Sequence, residues 1–192
     1  MRKIKMLNRV SIDGYFASLN DATFGMDWFV HDPEVDKAVH ESGGRMDTLL
    51  LGEITYMGFE RSWVPILNDP NAPEQMKAVA EELTQMTKIV FSKNLKEAKW
   101  ENTKIFDGNL VDKVRKLKEE TGSDILVMGS GTIVQQLAEE ELIDEYMFIV
   151  TPVVASEGKR LFQHVKRFGL RLLDTKAFKS GNVVLHYELI KL

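Results

Sequence analysis

The sequence predicts an α/β fold, a largely parallel sheet covered by helices on both faces, and three observations point to it. Uninterrupted apolar runs occur at residues 47–52 (DTLLLG), 88–92 (KIVFS), 124–129 (DILVMG) and 146–151 (YMFIVT). Runs this short, with no polar alternation, are strands buried on both sides. Segments with helical spacing lie between them, and strand–helix–strand alternation requires crossover connections. Each run also closes on a small or polar residue: Gly52, Ser92, Gly129 and Thr151.

In chain order, residues 3–12 read as a first strand. Residues 74–86 form a helix behind Pro73, a residue favoured at the first helical position. Leu110, Val114 and Leu117 recur at i, i+4 and i+7 on a helix that Gly122 is expected to stop. Ile133, Leu137 and Leu142 line another helix, opening directly from a glycine pair. A short helix opens at Glu53. Residues 170–192 hold two strand-like stretches around Ser180-Gly181-Asn182, a turn signal for a terminal β-hairpin. The sheet is therefore expected to be mixed, with antiparallel strands at its C-terminal edge. The turn-rich stretch 68–73 (NDPNAP) is too short to separate domains, and a single domain over 1–192 is expected.

Composition excludes several function classes. A formal net charge of −4 gives no basic footprint for phosphate backbones, so no nucleic-acid partner is expected. The absence of cysteine removes disulfides, thiolate catalysis and zinc–cysteine sites, and a reducing cytoplasm fits. No apolar run approaches the length that crosses a bilayer, and the N-terminus lacks the apolar core of a signal peptide. A cytoplasmic protein with no membrane partner is expected. His31, His40, His164 and His186 show no metal-ligand spacing, so no metal site is expected.

The sharpest chemical feature is Gly129-Ser130-Gly131-Thr132, between a buried strand and a helix. Glycines let backbone approach a ligand closely, and the following helix offers free N–H groups and a positive dipole end to a pyrophosphate. A plain packing turn has the same pattern, and both readings stay open on spacing alone. The pattern is not the Rossmann fingerprint, because Val134 stands where its third glycine belongs. Nor is it a Walker loop, since no Gly-Lys-Ser/Thr follows. Gly52 and Ser92-Lys93 close two other buried runs. Ligands bind where parallel strands open at their C-terminal ends, so three polar strand ends point to one shared cleft. Asp13, in an Asp-Gly pair, reads first as a turn former and second as a loop-orienting group.

Five segments occur in order: SIDGYFA (11–17), LLLGEITYMGFERSW (49–63), IVFSK (89–93), ILVMGSGTIVQQL (125–137) and LIDEYMFIVTPVVASEGKRLF (142–162). Together they resemble the dihydrofolate reductase superfamily, in the branch similar to the reductase domain of bifunctional riboflavin-biosynthesis deaminase-reductases. The resemblance implies a mixed sheet of about eight strands with flanking helices. It also implies NADPH lying across the strand ends, in preference to NADH, and hydride transfer to a small pterin-like or pyrimidine-like heterocycle. Residue by residue, it implies that Gly52 and Thr55 meet the cofactor phosphates and that Ser92 and Lys93 meet the adenosine end. Gly129, Ser130, Gly131 and Thr132 would form the turn under pyrophosphate and nicotinamide, with a cis peptide between Gly129 and Ser130. Phe16 and Ala17 would cover the nicotinamide. Thr151 would face the substrate, and Asp36, sixteen residues before Gly52, would hold it and supply a proton.

Two departures stand out. Glu53 occupies a position where the family usually carries Arg or Lys, and a carboxylate repels phosphates unless it turns outward. Lys93, with Arg61, must then supply the positive charge, so the NADPH preference is expected to be modest. The deaminase zinc signature needs cysteine and cannot occur here. A nucleotide-binding homodimer without turnover is the alternative to the reductase. A symmetric homodimer contributed by the hairpin around Gly181 is expected in either case.

Overall fold

The computed structural model describes residues 1–190. The strands are β1 (Ile4–Ser11), β2 (Tyr15–Ala17), β3 (Met46–Gly52), β4 (Thr87–Phe91), β5 (Thr103–Phe106), β6 (Asp124–Met128), β7 (Glu145–Thr151), β8 (Lys159–Arg160), β9 (Leu170–Ala177) and β10 (Val183–Leu189). The helices are α1 (Pro33–Gly43), α2 (Glu53–Asn68), α3 (Glu74–Gln85), α4 (Leu110–Glu119) and α5 (Gly131–Glu139). Eight strands form one sheet in the order β5-β4-β3-β6-β1-β7-β10-β9, while β2 and β8 pair separately.

The unbroken apolar runs are explained by two cores, one on each face. Leu50, Ile89, Ile125 and Val127 pack with Val114, Ile133, Val134 and Leu137 under α4 and α5. Their chain neighbours Leu49, Leu51, Val90 and Leu126 pack with Tyr56, Leu83, Met86 and Trp100 under α2 and α3. Successive strand residues point to opposite faces, so a strand covered on both sides has no position left for a polar residue. Lys88 departs from that rule. Its side chain is fully buried, its Nζ donates to the Leu83, Thr84 and Met86 carbonyls at 2.8–2.9 Å, and it lies 4.6 Å from the Trp100 ring centroid.

The sheet is mixed and ends in the expected antiparallel hairpin; β10 runs against both β7 and β9, so β9 points the same way as the parallel strands. Other expectations need correction in detail. The last two residues of the expected hairpin, 191–192, lie outside the described residues. Gly122 does not stop α4, which ends earlier through Glu120, whose N–H reaches the Lys116 and Leu117 carbonyls. Leu142 lies beyond α5. Glu141 turns left-handed at φ 52°, and the Leu142 N–H bonds back to the Leu137 carbonyl at 2.9 Å. That is a Schellman closure, with glutamate in glycine's usual place. The helix opening at Glu53 is not short but runs for 16 residues, with Pro65 inside its final turn.

Candidate active site

Strands β4, β3, β6, β1 and β7 are parallel neighbours, so their C-terminal ends open on one edge. At the centre of that edge two helices begin side by side: α2 directly after β3, and α5 one turn after β6. Ser130 ties them together. Its Oγ accepts the Gly52 N–H at 2.9 Å, and its own N–H donates to Thr55 Oγ1 at 3.1 Å. These bonds hold Ser130, 5% exposed, in a left-handed conformation at φ 49° next to Gly129 at φ 61°. A non-glycine residue there is strained, and such strain persists where the surroundings over-determine it. Gly129 fits because a Cβ on it would lie 2.8 Å from Thr55 Cγ2. The expected cis bond at Gly129–Ser130 is not found: all peptide bonds among the described residues are trans. The left-handed pair makes the reversal instead.

Gly131 and Thr132 precede the first intrahelical bond of α5, as Glu53 and Ile54 do in α2, so their N–H groups have no partner within their helices. Two converging helix N-termini suit the anionic middle of a dinucleotide. A Cβ on Gly131 would stand 2.5 Å from the Phe16 ring, so Phe16 packs directly over this backbone and a ligand reaches it where that ring swings aside. The residues present therefore fit the pyrophosphate of a nicotinamide dinucleotide. An open groove of about 600 Å³ lies at the other end of the sheet, lined by Arg2, Thr87, Lys104, Lys113, Glu120 and Thr121. It sits against the C-terminal end of α4, away from the strand ends where α2 and α5 begin.

The segment carrying Phe16 and Ala17 is fastened rather than loose. Strand β2 pairs with β8, and the Arg160 guanidinium lies 4.5 Å from the Tyr15 ring centroid. Asp13 joins the two loops beneath. Its carboxylate accepts from Ser11 Oγ at 2.7 Å and from the Ala155 and Ser156 N–H groups at 3.0 and 2.8 Å. The Ser11 hydroxyl, with those amides, holds the Asp13 carboxyl down at about 2. A depressed carboxylate contributes stability above its ordinary value near 3.8, lost as pH falls toward 2. Asp13→Ala is therefore expected to speed hydrogen exchange at the Ala155 and Ser156 amides by about tenfold or more at pH 6. Unchanged protection of both amides would show that the carboxylate does not hold the loop.

Toward α1, the expected substrate groups are already engaged. Asp36 Oδ1 accepts from Arg9 at 2.5 Å, and His31 Nδ1 stands 3.5 Å from Oδ2. Thr151 is fully buried and donates to Asn182 Oδ1 at 3.2 Å. The Asn182 amide nitrogen in turn donates to the Val30 carbonyl at 3.1 Å and to Ser180 Oγ at 3.0 Å. Ser180 then donates to Asp32, the residue capping α1, at 2.5 Å. Thr151, the hairpin turn and the start of α1 thus form one hydrogen-bonded unit. Sequence reasoning missed Arg9 and the bridging role of Asn182. Arg9 left a signal, since it falls in the same β1 phase as the partly buried Leu7; Asn182 left only its turn propensity.

At the opposite end of the edge, Ser92 and Glu53 meet. Ser92 Oγ donates to Glu53 Oε2 at 2.5 Å and accepts the Asn94 and Leu95 N–H groups at 3.0 and 2.8 Å. Lys93 is exposed. Arg61 is remote from this corner: it lies eight residues along α2 from Glu53, about 12 Å on an α-helix, and its guanidinium lies over Phe24 at 6.0 Å.

A model of the RibD C-terminal domain matches residues 2–185. The chain belongs to that family. This RibD C-terminal domain is 30% identical to the uncharacterized protein YyaP of Bacillus subtilis strain 168, over 97% of the chain and 95% of that relative. Among solved structures it resembles a protein assigned to riboflavin biosynthesis from Shewanella sp. PV-4, with TM-score 0.71 and 20% identity over 98% of this chain and 99% of the other. It also resembles the dihydrofolate reductase of Enterococcus faecalis complexed with NADP(H), with TM-score 0.66 and 14% identity over 98% and 97%. The RibD C-terminal domain therefore has the dihydrofolate reductase-like fold, with its mixed eight-stranded sheet and C-terminal hairpin.

Proposed function

We propose that this protein is a nicotinamide-dinucleotide-dependent reductase of a small heterocycle of the pterin or pyrimidine kind, in the manner of riboflavin-precursor reduction. The observation that carries the reading is the pair of helix N-termini locked together through Ser130 at the strand ends, under Phe16. NADPH is the cofactor implied by the resemblance, and the E. faecalis reductase of like fold was solved with NADP(H). When bound, the cofactor supplies hydride; the protein binds it, orients it and excludes water. Gly52, Thr55, Gly129, Ser130, Gly131 and Thr132 hold the phosphates, Ser92 and Lys93 flank the adenosine end, and Phe16 and Ala17 cover the nicotinamide side. Asp36 and Thr151 position the substrate through Arg9 and Asn182.

One observation favours the second reading, a nucleotide-binding homodimer without turnover: Asp36 is ion-paired, and the Thr151 hydroxyl is committed to Asn182. Calorimetry with each dinucleotide, followed by oxidation assays across a heterocycle panel, separates the two. Binding with turnover is expected; binding without turnover on any substrate selects the second reading, and no binding overturns both. Homodimerisation is proposed through edge strand β9, where Leu172 and Leu173 are 50% and 42% exposed on an uncovered edge. Light scattering at micromolar concentration is expected to give twice the chain mass, and a monomer mass overturns it. The site within the cytoplasm is likewise a proposal; among the described residues no helix is long and apolar enough to cross a membrane.

A further inference from the structure

We infer that Glu53, held by Ser92, is the specificity-determining residue for the adenosine end of the cofactor and selects a free ribose 2′-hydroxyl over a 2′-phosphate: NADH over NADPH. The inference rests on the reductase reading of the site and reverses the preference expected from the sequence.

Placement comes first. The glycine turn after β6 and the N-terminus of α2 take the pyrophosphate, and the sheet edge continues from there in two directions. One leads to β1 and β7, where Phe16, Asp36 and Thr151 lie, the end suited to the reacting ring. The other leads through β3 to β4, where Gly52 pairs with Phe91 and the next residues out are Glu53 and Ser92. An extended dinucleotide with its nicotinamide toward Phe16 therefore lays its adenosine ribose beside Glu53 and Ser92.

The chemistry at that corner is one-sided. A 2′-phosphate needs hydrogen-bond donors and positive charge. The Ser92 hydroxyl is a donor, but its proton goes to Glu53 at 2.5 Å. Its lone pairs take the Asn94 and Leu95 amides, so the side chain is fixed in that orientation. Glu53 is half-buried and pinned, leaving Oε1 as an acceptor for a ribose hydroxyl. A carboxylate accepting from the ribose 2′-hydroxyl is the general means by which dinucleotide sites choose NAD, whereas arginine accommodates the 2′-phosphate of NADP. Lys93 and Lys96 follow Ser92 in the chain. Both are exposed, and Lys96 Nζ donates to the Lys93 carbonyl at 3.3 Å. Exposed ammonium groups on mobile side chains are well screened, and a fixed carboxylate outweighs them.

The test is calorimetric affinity of the full chain for NADH and NADPH at two salt concentrations, for wild type, Glu53→Gln and Glu53→Arg. Wild type is expected to bind NADH about tenfold or more tightly than NADPH, with the gap narrowing at high salt. Glu53→Gln keeps the shape and removes the charge, so the two affinities should come within about threefold; Glu53→Arg should reverse the order. Tighter NADPH binding by wild type, or a preference unmoved in both variants, overturns the inference and leaves the reductase reading standing. Failure of wild type to bind either dinucleotide overturns that reading and the inference with it.

Discussion

Replacing Lys88 by methionine is expected to lower stability by about 3–5 kcal/mol and the melting temperature by on the order of 10 °C. Methionine fills nearly the same volume, so the loss comes from polarity rather than from a cavity. The chain passes from the end of α3 at Gln85 straight into β4 at Thr87, which brings the carbonyls of the buried Leu83 and Met86 and of the half-buried Thr84 to the Lys88 ammonium. All three accept from the Lys88 ammonium. Without it, the Thr84 carbonyl still has the Asn102 amide at 3.0 Å. Buried carbonyls left unpaired each cost on the order of 1–3 kcal/mol. The face of Trp100 adds a cation–π contact that methionine cannot make.

Lys88 also fixes a pH signature. Burial pulls its ammonium from the ordinary 10.5 down to about 8, so it is charged at neutral pH but releases its proton earlier than in the unfolded chain. Between pH 8 and 10.5 the unfolded state binds more protons, and stability from this group rises with pH. Urea denaturation of wild type and variant at pH 7 and 9.5 checks both statements: the gap should be large at pH 7 and wider at pH 9.5. A gap below about 1 kcal/mol at both values would mean that water replaces the ammonium and that α3 needs no such cap.

The parts of this fold that show in the sequence are those whose environment constrains every residue. Leu49, Leu50 and Leu51 are all fully buried because two helical layers cover β3, and that double coverage is what an unbroken apolar run records. Strand β5 escaped notice for the opposite reason: Thr103–Phe106 lies at the outer edge of the sheet, is partly exposed and includes a lysine. Strands β2 and β8 have three and two residues, and they pair across a sequence separation that no local pattern reports. The end of α5 was misread because the left-handed closing residue is Glu141, so the chemical marker of a helix stop was missing.

The candidate site divides in the same way. Gly129 to Thr132 were legible because backbone conformation and close approach demand glycine, and glycine is visible in a sequence. That Glu53 would face Ser92, or that Asp36 would be taken up by Arg9, depends on pairings between residues 39 and 27 positions apart. The sequence showed Glu53 as an anomaly without showing its direction. The structure turns it inward along the edge, toward Ser92, and under the proposed placement of the dinucleotide that makes it a selector rather than a nuisance near phosphates.

Placing aspartate at Gly131 is expected to weaken dinucleotide binding by about two orders of magnitude while leaving the protein folded. An acidic residue in the first turn of α5 favours the helix, because its carboxylate meets the unpaired N–H groups and the positive dipole end. Those are the groups that a pyrophosphate would use, so the new side chain competes with the ligand on its own ground and adds repulsion. The ring that a Cβ would strike, Phe16 at 2.5 Å, is the far end of a side chain and can move. Displacing it would lower affinity through lost cover alone, and the asparagine variant isolates that effect. Gly131→Asn has the same bulk and no charge, and it should lose about one order of magnitude where Gly131→Asp loses two. Calorimetry with whichever dinucleotide binds wild type more tightly, together with thermal melts to verify folding, gives both numbers. Equal losses in the two variants would mean that only Phe16 was disturbed and that the pyrophosphate lies away from this turn. Undiminished affinity in both would place the cofactor elsewhere on the protein, and the strain held at Ser130 would then have no binding role.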